Sequence, residues 1–545
     1  MLILVRNLVR FSTLLLFAVL LVNINSVYAT PVSPVNSQTS DFRRIDQYVL
    51  ATPRSYEKSL DRLTAYLIKP ANNDVAKARA IYRWITANIS YDTEAFFSGR
   101  YRNKKVTAEE VYRSRHGVCD AYATLFNAMA LRAGLEAKKV SGISKGINYS
   151  RSQVTNNVEN HAWNAVKLNG HWHLLDTTWG AGIVDSNTRK FVRKFSEFYF
   201  LSQPQQFIYS HFPLDASWQL LKSPISFSEF DNLVLIKPEF FSNGLQLYSH
   251  KQAEISVDSY AEVVLGIPSN IDVIAKVSFH GQELEKYYYY WEREGDKTII
   301  KTLFPKPGLY TLDIYAKTPN ETSQYPQVLE YRINAAKGSN QRFPVFQKAF
   351  FDYHLKLNSH TQGVVYANGE LKMTLKVPEK VFLIARLTQG ENKLSRNLVF
   401  LQRENGLYQI RSLFPKAGEY ELQFFTKTKV DAAAISTLTY KIIANKGVDV
   451  QAEYPEYFLK FEEHHGQLYF PIKSQLKSGV KEFFKIKVPE AQQVVVKVGE
   501  QWYFLEKQGS VFSGHIPIEK GVVKILAKFP GDTNEYSSLL RYSGI

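Results

Sequence analysis

One cysteine in 545 residues rules out an internal disulfide. Beyond the first thirty residues no stretch approaches the ~20 apolar residues that cross a bilayer, so no transmembrane segment is expected once the N-terminus is cleaved. Lys and Arg outnumber Asp and Glu by 67 to 51, a formal net charge of +16, yet they form no basic block. No nucleic-acid-binding motif is present either, so nucleic acid is not an expected partner. Nothing has the form of a calcium loop, and neither a metal nor another cofactor is expected. Disorder is excluded too, because 45% hydrophobic and 14% aromatic residues suffice for packed cores.

What is present begins with an export signal. Arg6 and Arg10 mark a basic segment, Phe11 to Val22 is almost wholly apolar, and Val27-Tyr28-Ala29 has the small-residue form of a cleavage site. This pattern predicts a signal peptide over 1–29 and a periplasmic or secreted protein. A flexible leader, rich in Ser, Thr, Pro and Asn, is expected over 30–44. In an oxidising compartment a lone thiol is a hazard, so keeping Cys119 argues for a use, although free cysteine also serves as a small core residue. The positive charge suits contact with anionic cell-envelope polymers, set against the plainer reading of a solvated basic surface.

A mature chain of roughly 515 residues exceeds what one core holds. Helical patterning comes first: Leu60, Leu63 and Leu67 share a face, as do Ala78, Ile81, Tyr82 and Ile85 behind Asp74 as N-cap. Thr107 to Glu110 reads as a capping box. From about residue 160 the pattern turns strand-like, which predicts an α+β domain over 45–235. The remainder repeats itself. LQLYSH ending at His250 returns as LKLNSH ending at His360, Pro268 as Pro378, and TLFPKPGLYTL from Thr302 as SLFPKAGEYEL from Ser412, each 110 residues on. In a looser third copy, Pro489 follows Pro378 by 111 residues and Gly521 follows Gly418 by 103. Short runs of Val, Ile, Tyr and Phe between turn residues predict three all-β immunoglobulin-like sandwiches, over 236–337, 338–447 and 448–545. His250 and His360 are expected to be packing or turn residues rather than ligands, with His464 in a different setting in the third copy. The aromatic run Tyr287 to Trp291 aligns with Val399 to Leu401 and is expected to be a core strand.

The cysteine lies in HGVCDAYATLFNAMALRAG, residues 116 to 134. Gly117 suits a tight turn. From Cys119 an amphipathic helix follows, with Tyr122, Leu125, Phe126, Met129 and Ala133 as its buried stripe and Gly134 as its stop. Cys119 therefore sits at a helix N-terminus, where unpaired N–H groups favour a thiolate, while Asp120 opposes it. A nucleophilic thiol needs a base held by a third group. Residues 161 to 180, HAWNAVKLNGHWHLLDTTWG, read as two strands around Asn169-Gly170, a type I′ turn signal. Pairing Leu168 with His171 places Trp163 opposite Asp176, so His161 and Asp176 share a face as diagonal neighbours. His171 and His173 fall on the other face.

The order of Cys at a helix start, then His, then Asp resembles the transglutaminase-like cysteine enzymes. AIYRWITANISYD (from Ala80), RSRHGVCDAYATLF and ENHAWNAVKLNGHWHLLDTTWGAG are similar to that superfamily's segments. The last of these, with YFLSQPQQFIYSHFPLDASWQLL from Tyr199, resembles the kyphoscoliosis peptidase branch, whose members also carry β-sandwich repeats. The resemblance implies a transglutaminase-like, papain-like cysteine enzyme core, with Cys119 as nucleophile, His161 as general base and acid, and Asp176 as the residue that orients the imidazole. It implies amide chemistry through a thioester on a protein or peptide, ending in hydrolysis or in crosslinking. Animal transglutaminases have an upstream tryptophan that stabilises the oxyanion, and residues 85 to 118 contain none. Tyr101, Tyr112 and the Cys119 backbone N–H are the candidates in its place, and the role stays open. The rival reading is a non-catalytic adhesion or scaffold protein of the cell envelope that binds through its sandwiches.

Overall fold

The computed structural model describes residues 39–103, 105–147, 149, 159–318, 325–428, 433–448, 453–531 and 535–545. The expected signal peptide and residues 30–38 of the expected leader lie outside the described residues. From Thr39 the chain is helical, so the leader's last residues belong to the first helix instead. That helix is held because Ile45 and Val49 are buried and Asp46 pairs with the buried Arg79 at 2.7 Å.

Among the described residues nine α-helices precede the first sandwich: α1 (Thr39–Leu50), α2 (Leu60–Leu67), α3 (Asp74–Asn88), α4 (Thr93–Ser98), α5 (Ala108–Ser114), α6 (Cys119–Arg132), α7 (Thr177–Ala181), α8 (Pro204–Phe207) and α9 (Phe227–Asn232). Helix α3 is capped one residue earlier than expected. The Asn73 side chain accepts from the Ala76 N–H, and Asp74 turns to Lys77 instead. The Thr107–Glu110 capping box forms in both directions. Arg79 also pairs with Glu197 at 2.5 Å, so one buried guanidinium ties α1 and α3 to the segment that follows the core sheet.

Eight strands accompany the helices: β1 (Ser90–Tyr91), β2 (His116–Gly117), β3 (Glu136–Ser144), β4 (His161–Leu168), β5 (His171–Leu175), β6 (Gly182–Val184), β7 (Phe191–Arg193) and β8 (His211–Pro213). The main sheet runs β5-β4-β3-β8 and is antiparallel throughout. Its hairpin has the register read from the turn: Leu168 faces His171 and Asn164 faces Leu175. Asn169 at φ +51° and Gly170 at φ +82° make the two positive-φ positions that a type I′ turn requires. Helix α6 lies against β3 and β4, with Tyr122, Leu125, Phe126 and Met129 fully buried. Strand β3 begins well before residue 160. Its paired lysines at 138 and 139 blur the alternation, while Ala137, Val140 and Ile143 bury.

Three sandwiches follow. Each pairs a four-stranded sheet with a six-stranded one, and the strand order recurs from repeat to repeat. The larger sheets share a spine of two antiparallel strands, Gly308–Lys317 with Gln327–Ala335, Gly418–Lys427 with Ile435–Lys446, and Gly521–Lys528 with Ser537–Gly544. His250 and His360 are turn residues at φ +53° and +51°, and their carbonyls accept from Tyr331 and Tyr440 hydroxyls at 2.8 and 2.9 Å. His464 stacks on Phe529 at 3.7 Å.

Of the run Tyr287 to Trp291, the strand takes in only Tyr289 to Trp291, with Tyr287 and Tyr288 half-buried in the turn before it, and it does more than fill a core. Tyr290 packs on Phe343 and Phe346 of the next repeat at 4.7 and 4.6 Å, and Trp291 stacks on Phe351 at 4.0 Å. One repeat on, Phe400 meets Tyr454 and Tyr457 at 5.7 and 5.5 Å. These joints merge repeats two and three into one apolar cluster that reaches back to Tyr290 and Leu303. The first sandwich joins the N-terminal domain in the same way, with Phe241 stacked on Phe198 at 5.5 Å and Glu239 paired with Lys194 at 3.0 Å. The boundary expected at 235/236 falls inside a strand, Leu235–Ile236, that pairs with Leu329 and Glu330. Val234 is already part of the first sandwich's core. Among the described residues no helix is long and apolar enough to cross a membrane.

Candidate active site

The entry to α6 is fixed from outside the helix. β1 and β2 pair in parallel, Tyr91 beside Gly117, and the Asp92 N–H donates to the Gly117 carbonyl at 3.1 Å. Gly117 serves close approach rather than a turn, because a Cβ there would lie 2.3 Å from the Ala121 Cβ. Cys119 is the first residue of α6 and is 8% exposed. Val118, at the N-cap, has no side chain to occupy the first-turn N–H groups, which leaves the positive end of the helix facing the thiol. The Asp120 carboxylate is turned outward onto the Lys139 ammonium of β3 at 2.6 Å. That pairing offsets the charge that opposed a thiolate.

His161 opens β4 and is buried. Its Nε2 lies 2.7 Å from Asp176 Oδ2, and the Cys119 thiol is near enough to raise the ring's proton affinity. Asp176 follows the last paired residue of β5 and caps α7, where its Oδ1 accepts the N–H groups of Thr178 and Trp179 at 2.7 and 3.1 Å. Its own N–H donates to the Tyr199 carbonyl at 2.9 Å. The structure thus brings Cys119, His161 and Asp176 together. His171, exposed at the turn, and the half-buried His173 sit on the opposite face of the hairpin.

A fourth residue was missed in the sequence. His211, on β8, places Nε2 3.1 Å from the same Asp176 Oδ2 and Nδ1 2.8 Å from Ser210 Oγ. It stacks on Phe207 at 4.0 Å and is 1% exposed. The histidine stands within the YSHFPLD stretch, but a three-residue strand has no periodicity to announce which side it presents. Asp176 is fully buried with four donors on its two oxygens.

The charges follow from these contacts. Burial pulls the His161 pKa down, but the Asp176 carboxylate and its hydrogen bond, together with Cys119, lift it to about 10. Burial alone would raise Asp176, yet His161 and His211 hold it well below the usual carboxylate range. At His211 burial wins over the hydrogen bond to Asp176 and pushes the pKa down to about 4. At neutral pH the site therefore holds one imidazolium, one carboxylate and one neutral imidazole. Trp179 stands over both rings, 5.4 Å from His161 and 4.5 Å from His211.

The two tyrosines considered for the oxyanion differ in their contacts. The Tyr112 hydroxyl donates to the Glu57 carbonyl, and Tyr101 stacks on Phe96 at 6.0 Å. Tyr91 is the tyrosine beside the thiol; burial first and then the charge of Cys119 push its pKa far up. His161, Asp176 and His211 also form the one His/Cys/Asp/Glu cluster with metal-ligand spacing among the described residues, their ligand atoms all within 4.8 Å of one another. Those atoms already hydrogen-bond to one another, so an ion would first have to displace protons from both rings.

Two family models match the chain: the transglutaminase-like superfamily over residues 61–177, and the KY-like, immunoglobulin-like domain over residues 227–344 and 338–455. The chain is 29% identical over 486 residues to kyphoscoliosis peptidase of Mus musculus, covering 86% of this chain and 72% of that protein. Its Homo sapiens counterpart is 29% identical over 476 residues, with 85% and 70% covered. Hillarin of Drosophila melanogaster is 24% identical over 440 residues, with 71% and 52% covered.

Proposed function

The chain carries a transglutaminase-like domain followed by KY-like immunoglobulin-like domains, and on that premise we propose that it is a cysteine enzyme acting on protein or peptide amides. The observation that carries this reading is His161 held between Cys119 and the buried carboxylate of Asp176. With its Nε2–H on Asp176, the imidazole turns Nδ1 to the thiol, takes its proton there and becomes the imidazolium of an ion pair. The Cys119 thiolate attacks the amide carbonyl, and the first-turn N–H groups of α6 face the charge that develops on oxygen. His161 then protonates the leaving amine, a thioester remains, and water or a lysine amine resolves it. Similarity to proteins named as peptidases favours water.

The reading places the chain outside the cytosol, on the strength of the residue pattern over 1–29, and its basic surface against anionic envelope polymers. A casein digest with a primary-amine probe tests the chemistry. New N-termini from the parent chain and none from Cys119→Ala support hydrolysis, while probe incorporation supports crosslinking. A native Cys119 that iodoacetamide modifies no faster in the parent than in His161→Ala would favour the scaffold reading instead.

A further inference from the structure

We infer that His211 is a positioning residue for this chemistry: its Nε2–H is a second donor to the very oxygen of Asp176 that His161 uses, and it fixes and tempers that carboxylate. The inference rests on the cysteine-enzyme reading above. Asp176, ionised, can only accept, so the His211 nitrogen 3.1 Å from Oδ2 must carry the hydrogen. A neutral ring has a single N–H, so Nδ1 is the acceptor and the Ser210 hydroxyl donates to it at 2.8 Å. Burial favours that neutral form. The ring cannot turn away, pressed flat on Phe207 at 4.0 Å and edged by Trp179 at 4.5 Å. The titratable groups that face it are Asp176, His161 and Tyr199, whose ring lies 6.0 Å away.

The consequence is electronic as well as steric. Oδ1 is held by two backbone N–H groups, so the orientation of the carboxylate does not depend on His211 alone. Oδ2, by contrast, divides its charge between two imidazoles. With His211's donor gone, the whole of that charge falls on His161, which then holds its proton more tightly and gives it up to a leaving amine less readily.

Two substitutions in the full chain separate this role from packing. His211→Phe keeps the ring on Phe207 and loses the donor; His211→Gln loses the ring and keeps an N–H near the Nε2 position. Iodoacetamide alkylation of Cys119 is measured against pH, alongside ¹⁵N histidine spectra across the same range. His211→Phe is expected to move the upper inflection, where His161 loses its proton, up by about one pH unit, tenfold in proton affinity, with His211→Gln close to the parent. A profile for His211→Phe that overlays the parent, with His211→Gln the disturbed one, would make His211 a packing residue. A parent His211 resonance that titrates near pH 6.5 overturns the inference as well. If Cys119 is inert even in the parent, the cysteine-enzyme reading falls, and the ¹⁵N titration of His161 in the three proteins still decides whether His211 tempers Asp176.

Discussion

Asp176→Asn changes one atom in a fully buried site, which makes its effect calculable. The Asn oxygen can stay on the Thr178 and Trp179 N–H groups, where Oδ1 now sits. The amide NH2 then meets two ring N–H groups, at the His161 and His211 positions 2.7 and 3.1 Å from the former oxygen. To escape a donor–donor contact, His161 must move its hydrogen to Nδ1, and it then offers Cys119 a donor where an acceptor is needed. The carboxylate is also what lifts His161 to about 10 against burial. Without it burial wins, as it does at His211, and the imidazolium is lost at pH 7.

A thiol that loses its imidazolium partner loses the charge that stabilises the nucleophilic thiolate. Alkylation of Cys119 at pH 7 should therefore fall by about tenfold or more. Acyl transfer should fall further, by about 10⁴-fold, as when a serine-enzyme triad loses the same carboxylate to Asn. Breaking a buried pair should cost about 3 kcal/mol of stability. Short iodoacetamide pulses from pH 5 to 10, read by mass and accompanied by circular dichroism, give the comparison. Superimposable profiles in two equally folded proteins would remove Asp176 from the site.

His161→Ala should abolish acyl transfer while His171→Ala and His173→Ala stay within about twofold of the parent, since neither shares the Asp176 face; a dead His173 variant beside an active His161 variant would refute the assignment. His211, depressed to about 4 in the folded chain from 6.5 when free, makes stability pH-dependent in a set direction. The unfolded chain takes up a proton below pH 6.5 that the folded chain refuses until about pH 4, so about 3 kcal/mol present above 6.5 is lost on going down to 4. Urea midpoints at pH 7 and 4.5 should show a smaller loss in His211→Phe, and equal losses would contradict the buried neutral ring. A chain ended after Leu235 keeps the whole core sheet but strips Phe241 from Phe198, so it should fold with a reactive thiol and about 1 kcal/mol less stability from that stack. A folded fragment whose thiol is inert would mean that the first sandwich completes the site.

The parts of the site legible in the sequence are those that local geometry decides. Asn169-Gly170 admits one loop length, that length sets the register, and strand parity then puts His161 with Asp176 and away from His171 and His173. The α6 start and stop rest likewise on neighbours, with Gly134 at φ +77° closing the helix. The repeats were legible because a chain can be compared with itself at a fixed offset. Asn73 and Asp74 are both capping types, and only the hydrogen bond to Ala76 chooses between them. Tyr290 and Phe400 read as core residues, and they are buried, but a pattern of apolar residues does not name what covers them. Here it is the next module.

What escaped the sequence is joined through tertiary contact. Asp120 counted against a thiolate at Cys119 so long as its partner was unknown, and that partner, Lys139, stands on a strand whose own alternation is obscured by two lysines. The residue that blurred the strand is the one that offsets the charge beside Cys119. His211 reaches Asp176 across 35 residues from a three-residue strand, and Tyr91 reaches the thiol because two two-residue strands lie side by side. Neither of the last two contacts leaves a periodic trace, because each involves a single residue at the end of a short element. A nucleophile and its base can be placed by helix and hairpin rules. The groups that set their charge come from whichever segments the fold lays beside them, so proton affinities at such a site are properties of the folded domain rather than of any motif.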